Sequence, residues 1–265
     1  MKYSFHPKEL NNWKARITER LVQLYINHDL IPKLKKEWFE LIVWTNPPLP
    51  LSFVTSALVE GKEIDWESAF DKSVTSITRI SSDGRAKKFL PRDLPEEERV
   101  FRIEQWKKDK EKEAKQIRKI VKLLFLEKGV FPDSKLYKKT LKLLSILDVA
   151  TDGILFKLKK TGKMIVAKKA FSGVKDRFRE TEISEKIPVV SGEIEVIEIK
   201  SDKAFMMPHQ KEAYRKVVEN GFLFRYFHVN IISLKENQFE IWENVIQNAE
   251  ELEGLFTIRK GFHKT

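Results

Sequence analysis

The sequence predicts an α/β protein whose mixed central sheet is flanked by helices and preceded by a helical N-terminal region. Residues 193–200 are β-branched and alternate in polarity, which is typical of a strand. Residues 208–219 begin with proline and end before Asn220-Gly221, as a helix does. Residues 222–229 are almost continuously apolar, which indicates a strand buried on both faces. Together these segments predict a βαβ unit with parallel strands.

The first third of the chain is predicted to be a helical region, residues 1–92, followed by a second domain, residues 93–265. Apolar residues recur at helical spacing around 17–25, and two further helices are predicted at 51–59 and 66–77. Because aromatic rings bury much area, we expect four tryptophans of this region in the core, with a nucleic-acid stacking surface as the alternative. These tryptophans are Trp13, Trp38, Trp44 and Trp66.

Two helices with many basic residues are predicted next. A capping-box pattern at 93–96 opens a helix that should run to Lys128 and end at Gly129, and a second helix is predicted at 134–147. Residues 102–142 contain fourteen Lys or Arg and six Asp or Glu, an excess of eight positive charges. Such an excess is compatible with a solvated helix face that carries ion pairs, or with a flank that faces phosphates. The sequence leaves both interpretations open.

A hairpin is predicted after these helices, from strands at 153–159 and 164–167 around a Thr161-Gly162 turn. Residues 157–179 contain nine Lys or Arg and a single acid, Asp176. Because nine cations repel one another unless a polyanion neutralises them, we expect this segment to contact a nucleic-acid backbone. The predicted contacts, with nearby cations of the βαβ unit, are Lys157, Lys159, Lys160, Lys163, Lys168, Lys169, Lys203, His209 and Lys211.

Glu198 and Lys200 are the residues most suited to chemistry. They lie two apart on a predicted strand, so their side chains share a face and emerge at its carboxyl end, where functional groups of such sheets collect. Glu-x-Lys occurs three times, at 60–62, 113–115 and 198–200, and only the last lies on a strand that enters the βαβ unit. The alternative is an exposed salt pair that contributes little.

The last part of the chain is acidic. Residues 236–253 are periodic and predict a closing helix that packs on the core through Phe239, Trp242 and Ile246. We do not expect this helix to contact DNA.

Composition excludes several classes of protein. The 265 residues can bury a substantial core, and the absence of cysteine excludes disulfides, thiol catalysis and cysteine-based metal sites. No apolar run approaches the roughly 18 residues of a membrane span, and the first residues lack a signal peptide's apolar stretch. We therefore expect an intracellular, cytoplasmic protein without a membrane partner. Its formal net charge of +11 is suited to a polyanionic partner.

The βαβ segment resembles the PD-(D/E)xK nuclease superfamily. The matching residues are 197–201, which contain the Glu-x-Lys pair, then 208–212, and the strand after Asn220-Gly221. Within the superfamily the chain looks most similar to the VRR-NUC and archaeal Holliday-junction-resolvase branches. The resemblance implies a restriction-endonuclease-like fold and an endonuclease that hydrolyses DNA in repair or recombination. The resolvase-like relatives also suggest a homodimer.

The same resemblance implies the roles of individual residues. Mg²⁺ or Mn²⁺, which prefer oxygen ligands, would be held by an upstream acid, by Glu198 and by the Ile199 carbonyl. Lys200 would orient the metal-activated water and stabilise the developing anion. Gln210 would lie near the site, and Glu113 would be the acid supplied by an N-terminal core helix.

The upstream acid is assigned to Asp152, because it precedes a glycine and a predicted strand, as in the family pattern. Forty-five residues separate Asp152 from Glu198, a longer spacing than we expect, so a basic insertion must lie between the strands. Asp148 and Asp176 are the alternative acids. The long spacing also supports a rival function, a nuclease-fold protein that binds DNA or assembles without cutting it. An RNA-directed nuclease is a third hypothesis.

Overall fold

The computed structural model describes residues 7–80, 86–169, 183–201, 204, 206–233 and 238–261. Its helices are α1 Pro7–Tyr25, α2 Ile31–Leu34, α3 Phe53–Glu60, α4 Trp66–Ser73, α5 Glu96–Leu126, α6 Ser134–Ile146, α7 Pro208–Glu219 and α8 Ala249–Gly261. Its strands are β1 Glu40–Trp44, β2 Ile77–Ile80, β3 Ala86–Phe89, β4 Phe131–Pro132, β5 Gly153–Lys169, β6 Ile183–Ser201, β7 Leu223–Ser233 and β8 Gln238–Ile246. A π-helical turn, Ile26–Leu30, joins α1 to α2, and a short 3₁₀ turn, Pro91–Asp93, precedes α5.

A mixed six-stranded sheet lies at the centre of the fold. Its order is β1-β5-β6-β7-β8, and β4 pairs with the first half of β6. The β6–β7 and β4–β6 pairs are parallel, and the remaining pairs of this sheet are antiparallel. Strands β2 and β3 form a separate antiparallel ribbon. The predicted α/β class, with a mixed sheet packed by helices, is confirmed.

The predicted βαβ unit is confirmed in detail. Helix α7 has the predicted bounds, and it connects β6 to β7 as a parallel pair. Glu198 lies opposite Tyr226 and Lys200 opposite His228 in this ladder. Glu198 and Lys200 are therefore on an interior strand, close to its carboxyl end.

Helices cover both faces of the sheet because the side chains of β6 alternate between two apolar clusters. Ile194 and Val196 pack with α5, α6 and α7, in the cluster that contains Phe125. Ile197 packs on the opposite face with Val22 of α1 and the π-turn residues. Within the described ranges, no helix is both long and apolar enough to cross a bilayer.

A row of alternating charges crosses the sheet beneath α1. Lys157 Nζ lies 2.6 Å from Glu195 Oε1, and Arg225 Nε donates to Glu195 Oε2 at 2.6 Å. The Arg225 guanidinium also pairs with Glu243, whose other oxygen accepts the Tyr25 hydroxyl at 2.7 Å. Each buried charge is flanked by the opposite sign, which offsets the cost of removing it from water. The row ties β5, β6, β7, β8 and α1 together.

The predicted hairpin at 153–167 is wrong. Strand β5 is continuous from Gly153 to Lys169 and pairs with β6 along its length, with a register shift between Lys160 and Met164. Gly162 has φ +80° and lies within this irregularity. A Thr-Gly pair whose glycine has a positive φ can therefore form a bulge in a long strand as well as the turn of a hairpin.

The predicted closing helix is wrong over its first half. Residues 238–246 form β8, which pairs antiparallel with β7, and the helix α8 begins only at Ala249. Of the three residues predicted to face the core, Ile246 is buried, whereas Phe239 and Trp242 are nearly half exposed.

The N-terminal region is not wholly helical. Strand β1 pairs with residues 154–158 of β5, so this region contributes an edge strand to the central sheet. Trp13 is exposed, while Trp38, Trp44 and Trp66 are partly buried. Helix α5 begins at Glu96, with no side-chain cap, so the capping box predicted there does not form.

Gly192 provides a test of the packing between β5 and β6. An added Cβ at this residue would lie 2.1 Å from the Lys157 carbonyl oxygen, a backbone atom that cannot move independently. We expect Gly192→Ala to lower the free energy of unfolding by about 3 kcal/mol or more, measured by urea denaturation. The control is Gly254→Ala in α8, where a Cβ meets nothing within 4 Å and stability should hold or rise. Equal urea midpoints for Gly192→Ala and the wild-type protein would contradict the described strand pairing.

Candidate functional site

A cavity of about 370 Å³ lies at the carboxyl end of β6. Four segments line it: α1 through Thr18 and Glu19, the loop before β5 through Asp152, the end of β6, and the start of α7 through Gln210. The end of β6 contributes Glu198 and its three following residues. The parallel strand order explains the location, because a βαβ unit leaves the carboxyl end of its first strand open between helix and loop.

Asp152 is the upstream acid that the fold brings to Glu198. Its Oδ2 accepts the backbone N–H of Ile199 at 2.6 Å, so the carboxylate is held beside the Glu-x-Lys segment. The neighbouring Thr151 hydroxyl donates to the Ile197 carbonyl at 2.5 Å and secures the same loop. The alternative acid Asp148 is exposed and pairs with Lys216 at 3.2 Å, outside the cavity lining. Asp176 lies outside the described residues.

Glu198 is only 2% exposed, and each of its carboxylate oxygens has partners. The Tyr214 hydroxyl donates to Oε2, and the Lys200 ammonium pairs with Oε1. The Gln210 amide lies 3.4 Å from Oε1 and is itself oriented by the Met207 N–H, which donates to its carbonyl at 3.1 Å. The carboxylate is thus fixed from α7 and from its own strand.

Burial and charge perturb the ionisation of Asp152, which lines the cavity, and of Tyr214, which contacts Glu198. Burial, followed by the nearby Glu198 carboxylate, raises the pKa of Asp152 to about 7, against the opposing effects of the Ile199 N–H and Lys200. Burial and Glu198 also raise the pKa of Tyr214 well above its ordinary range, so its phenol remains a neutral donor. Two carboxylates that share one buried cavity repel each other, and a cation bound between them would relieve this repulsion.

The donors in the cavity are suited to a hard divalent cation. Asp152 and Glu198 supply carboxylate oxygens, the ligands that Mg²⁺ and Mn²⁺ prefer. In the part of the chain that the structure describes, three or more His, Asp or Glu side chains do not gather in a metal-holding arrangement. Backbone carbonyls or waters would complete the coordination of an ion held by Asp152 and Glu198.

The acid that a helix contributes to this cavity is Glu19 of α1, and Glu113 is not brought to it. Glu113 lies on α5, where its carboxylate accepts from Lys110 at 2.7 Å, away from the cavity lining. Glu19 lines the cavity, and its charge adds to the raised pKa of Asp152. Sequence reasoning missed Glu19 because α1 reaches β6 across about 180 residues of chain. Tyr214 was also missed, although it follows Gln210 by four residues and so shares its helix face.

The predicted nucleic-acid contacts whose side chains the structure describes differ in their exposure. Lys157 is buried and pairs with Glu193 and Glu195 at 2.7 and 2.6 Å, so it is not a phosphate contact. Its counter-anions come from the adjacent strand rather than from a polyanion. Lys159 and Lys160 are exposed and lie over the rings of Trp38 and Phe39, at 4.4 and 4.2 Å.

The remaining predicted contacts are described to different extents. Lys163 and His209 are exposed, and Lys211 is partly exposed near the start of α7. Lys168 and Lys169 lie at the end of β5, where only the backbone is described, and Lys203 is outside the described residues.

Comparisons of the chain with protein-family models, with curated proteins and with solved structures gave no match. The interpretation of the cavity therefore depends on its own geometry and on the motif resemblance described above.

Replacing Asp152 tests the electrostatics of the cavity. The pKa of Asp152 is higher in the folded protein than in the unfolded chain, so ionisation of Asp152 lowers the stability of the fold. This loss of stability grows as the pH rises from about 4 to about 7, and it stays constant at higher pH. In EDTA we expect Asp152→Asn to unfold at a similar urea concentration to the wild-type protein at pH 4. At pH 8 it should be more stable by up to about 4 kcal/mol. The control Asp148→Asn, at an exposed carboxylate, should show no such pH dependence. If the difference in stability between Asp152→Asn and the wild-type protein is the same at pH 4 and at pH 8, this would be evidence against a buried carboxylate pair.

Proposed function

We propose that the protein is a metal-dependent nuclease that hydrolyses DNA phosphodiester bonds in this cavity. The observation that carries the proposal is the convergence of two carboxylates and one ammonium, from Asp152, Glu198 and Lys200, at the carboxyl end of an interior strand. The choice of DNA follows from the PD-(D/E)xK resemblance of residues 197–212.

Asp152, Glu198 and the Ile199 carbonyl would hold Mg²⁺ or Mn²⁺. When bound, such an ion lowers the pKa of a coordinated water and neutralises charge on the scissile phosphate. The other contributions to the proposed hydrolysis would come from side chains in and beside the cavity.

The side chains around Glu198 fix the orientation of its carboxylate. Tyr214 donates to one oxygen, and Gln210 and Lys200 approach the other. The Lys200 side chain is only 16% exposed, so its ammonium is largely shielded from bulk water. From this position it can orient an attacking water or stabilise negative charge that develops on a phosphate oxygen. Such electrostatic stabilisation is stronger in a partly buried site than in water.

One observation favours the rival function, a nuclease-fold protein that binds DNA without cutting it. Both oxygens of Glu198 already have partners within the chain, because Lys200 pairs with the oxygen that Tyr214 leaves free. In such a protein the Glu198–Lys200 ion pair would be structural. Binding to duplex, flap, junction and single-stranded DNA without cleavage of any of them would establish this alternative.

Cleavage assays with single variants test the proposed catalytic site. We expect purified protein to nick or degrade DNA with Mg²⁺ or Mn²⁺ and to be inactive in EDTA. Glu198→Gln and Lys200→Met should each lower the cleavage rate by about 100-fold or more, because each removes a charge at the reacting centre. The measurement is single-turnover cleavage of labelled DNA, beside matched RNA.

The matched control is Glu212→Gln, which makes the same chemical change at an exposed carboxylate of α7 that pairs with Arg215. Its cleavage rate should equal that of the wild-type protein. Folding of each variant is verified from its thermal unfolding midpoint. Wild-type rates for both folded cavity variants would refute the assignment of the site.

A further inference from the structure

Helix α6 presents a row of lysines to solvent, which we call the α6 lysine ridge. It consists of Lys135, Lys138, Lys139 and Lys142, spaced so that all four lie on one side of the helix. The opposite side of α6 is buried in the main core. The ridge lines a shallow open depression of about 430 Å³, together with Ser134.

The ridge is not neutralised within the described part of the chain. Helix α6 contains no acidic residue, and Lys135, Lys138 and Lys139 form no ion pair there. Lys142 lies 3.7 Å from Glu60, but that carboxylate also pairs with Lys62 at 2.8 Å. One anion is thus shared by two cations at this end of the ridge.

Lysines of the adjacent helix α5 show the contrasting, neutralised arrangement. Lys107 pairs with Glu111 at 4.0 Å, and Lys110 pairs with Glu113 at 2.7 Å. Both are intrahelical pairs of the kind that solvated helix faces commonly carry. The basic excess of residues 102–142 is therefore distributed unevenly, with compensated charge on part of α5 and uncompensated charge on α6.

This arrangement is unfavourable for α6 itself. Like charges three or four residues apart repel by a few tenths of a kcal/mol for each pair. Lys135 also lies in the first turn of the helix, where the helix dipole disfavours a cation. These charge interactions therefore do not account for four lysines here, whereas attraction to an external polyanion would offset both unfavourable effects.

We infer that the α6 lysine ridge binds the phosphate backbone of the DNA substrate; this inference rests on the proposed nuclease function. From Lys135 to Lys142 the ridge extends about 10 Å along the helix axis. One strand of duplex DNA carries a phosphate about every 3.4 Å of axis, so about three phosphates span this length. Lysine ammonium groups contact phosphates as point charges and read no base sequence.

The chain path keeps the ridge within reach of the cavity. Helix α6 ends at Ile146, and six residues later the chain reaches Asp152. The Lys142 and Asp152 Cα atoms can therefore be no more than about 27 Å apart. That limit is shorter than one turn of duplex DNA, about 34 Å. The Lys142 end of the ridge is thus less than one turn of duplex away from the cavity.

A matched pair of double variants tests the ridge. The affinity of the full-length protein for a labelled 30-base-pair duplex is measured by fluorescence anisotropy in EDTA, over a series of KCl concentrations. Lys138→Gln with Lys139→Gln should raise the Kd at least tenfold and lower the slope of log K against log salt by about 2. The control, Lys107→Gln with Lys110→Gln, removes the same net charge from paired lysines and should change the Kd by less than about twofold.

The outcomes separate this inference from the proposed function. If the wild-type protein binds and cleaves DNA but the ridge variant has the wild-type Kd and salt slope, the inference that the ridge binds DNA is overturned. The nuclease proposal then stands. If both double variants weaken DNA binding equally, binding depends only on the net charge of the protein. The inference that the ridge binds DNA is then overturned as well. A supported ridge requires weaker binding in the ridge variant alone, with a thermal midpoint that is not lowered. A wild-type protein that neither binds nor cleaves DNA overturns both proposals.

Discussion

The candidate site depends on one hydrogen bond, from the Ile199 N–H to the Asp152 carboxylate. It joins a loop after α6 to the end of β6, and so places an acid beside Glu198 across forty-five intervening residues. The pairing has an electrostatic cost, because burial and Glu198 raise the pKa of Asp152 to about 7. The Glu198–Lys200 ion pair offsets part of this cost. A divalent cation bound between the two carboxylates would offset more of this electrostatic cost. The same cation is the one that the proposed hydrolysis requires.

The two buried glutamates of β6, Glu195 and Glu198, lie on opposite faces of the sheet and have different partners. Glu195 faces α1, where Lys157 and Arg225 each contact one of its oxygens, so its charge is balanced on both sides. Glu198 faces α7, where a neutral phenol, Tyr214, occupies one oxygen and a single ammonium the other. The first arrangement fixes three strands, β5, β6 and β7, to one another. In the second, Lys200 balances the charge of Glu198, and the carboxylate of Asp152 adds negative charge to the cavity when it is ionised, which favours the binding of a cation.

Local patterns predicted the elements whose residues are close in sequence. The bounds of α7, the parallel strands beside it and the pairing of Glu198 with Lys200 all follow from periods of two or 3.6 residues within about forty residues. Residues 238–246 were misassigned because Phe239, Trp242 and Ile246 recur at helical spacing, whereas the folded chain pairs this segment with β7. Lys157 was misassigned because its carboxylate partners lie on another strand, and Glu19 was missed because α1 approaches β6 only in the folded chain. Contacts between distant segments leave no periodic signal in a single sequence.

Anomalous diffraction from crystals soaked in MnCl₂ would test the central claim most directly. The account predicts one Mn²⁺ peak within about 2.2 Å of an Asp152 oxygen and of a Glu198 oxygen. It also predicts that the Lys200 ammonium leaves the Glu198 oxygen that it contacts in the structure described here. A cavity without manganese in crystals whose Asp152 and Glu198 are well ordered, or a peak held by other residues, would contradict it.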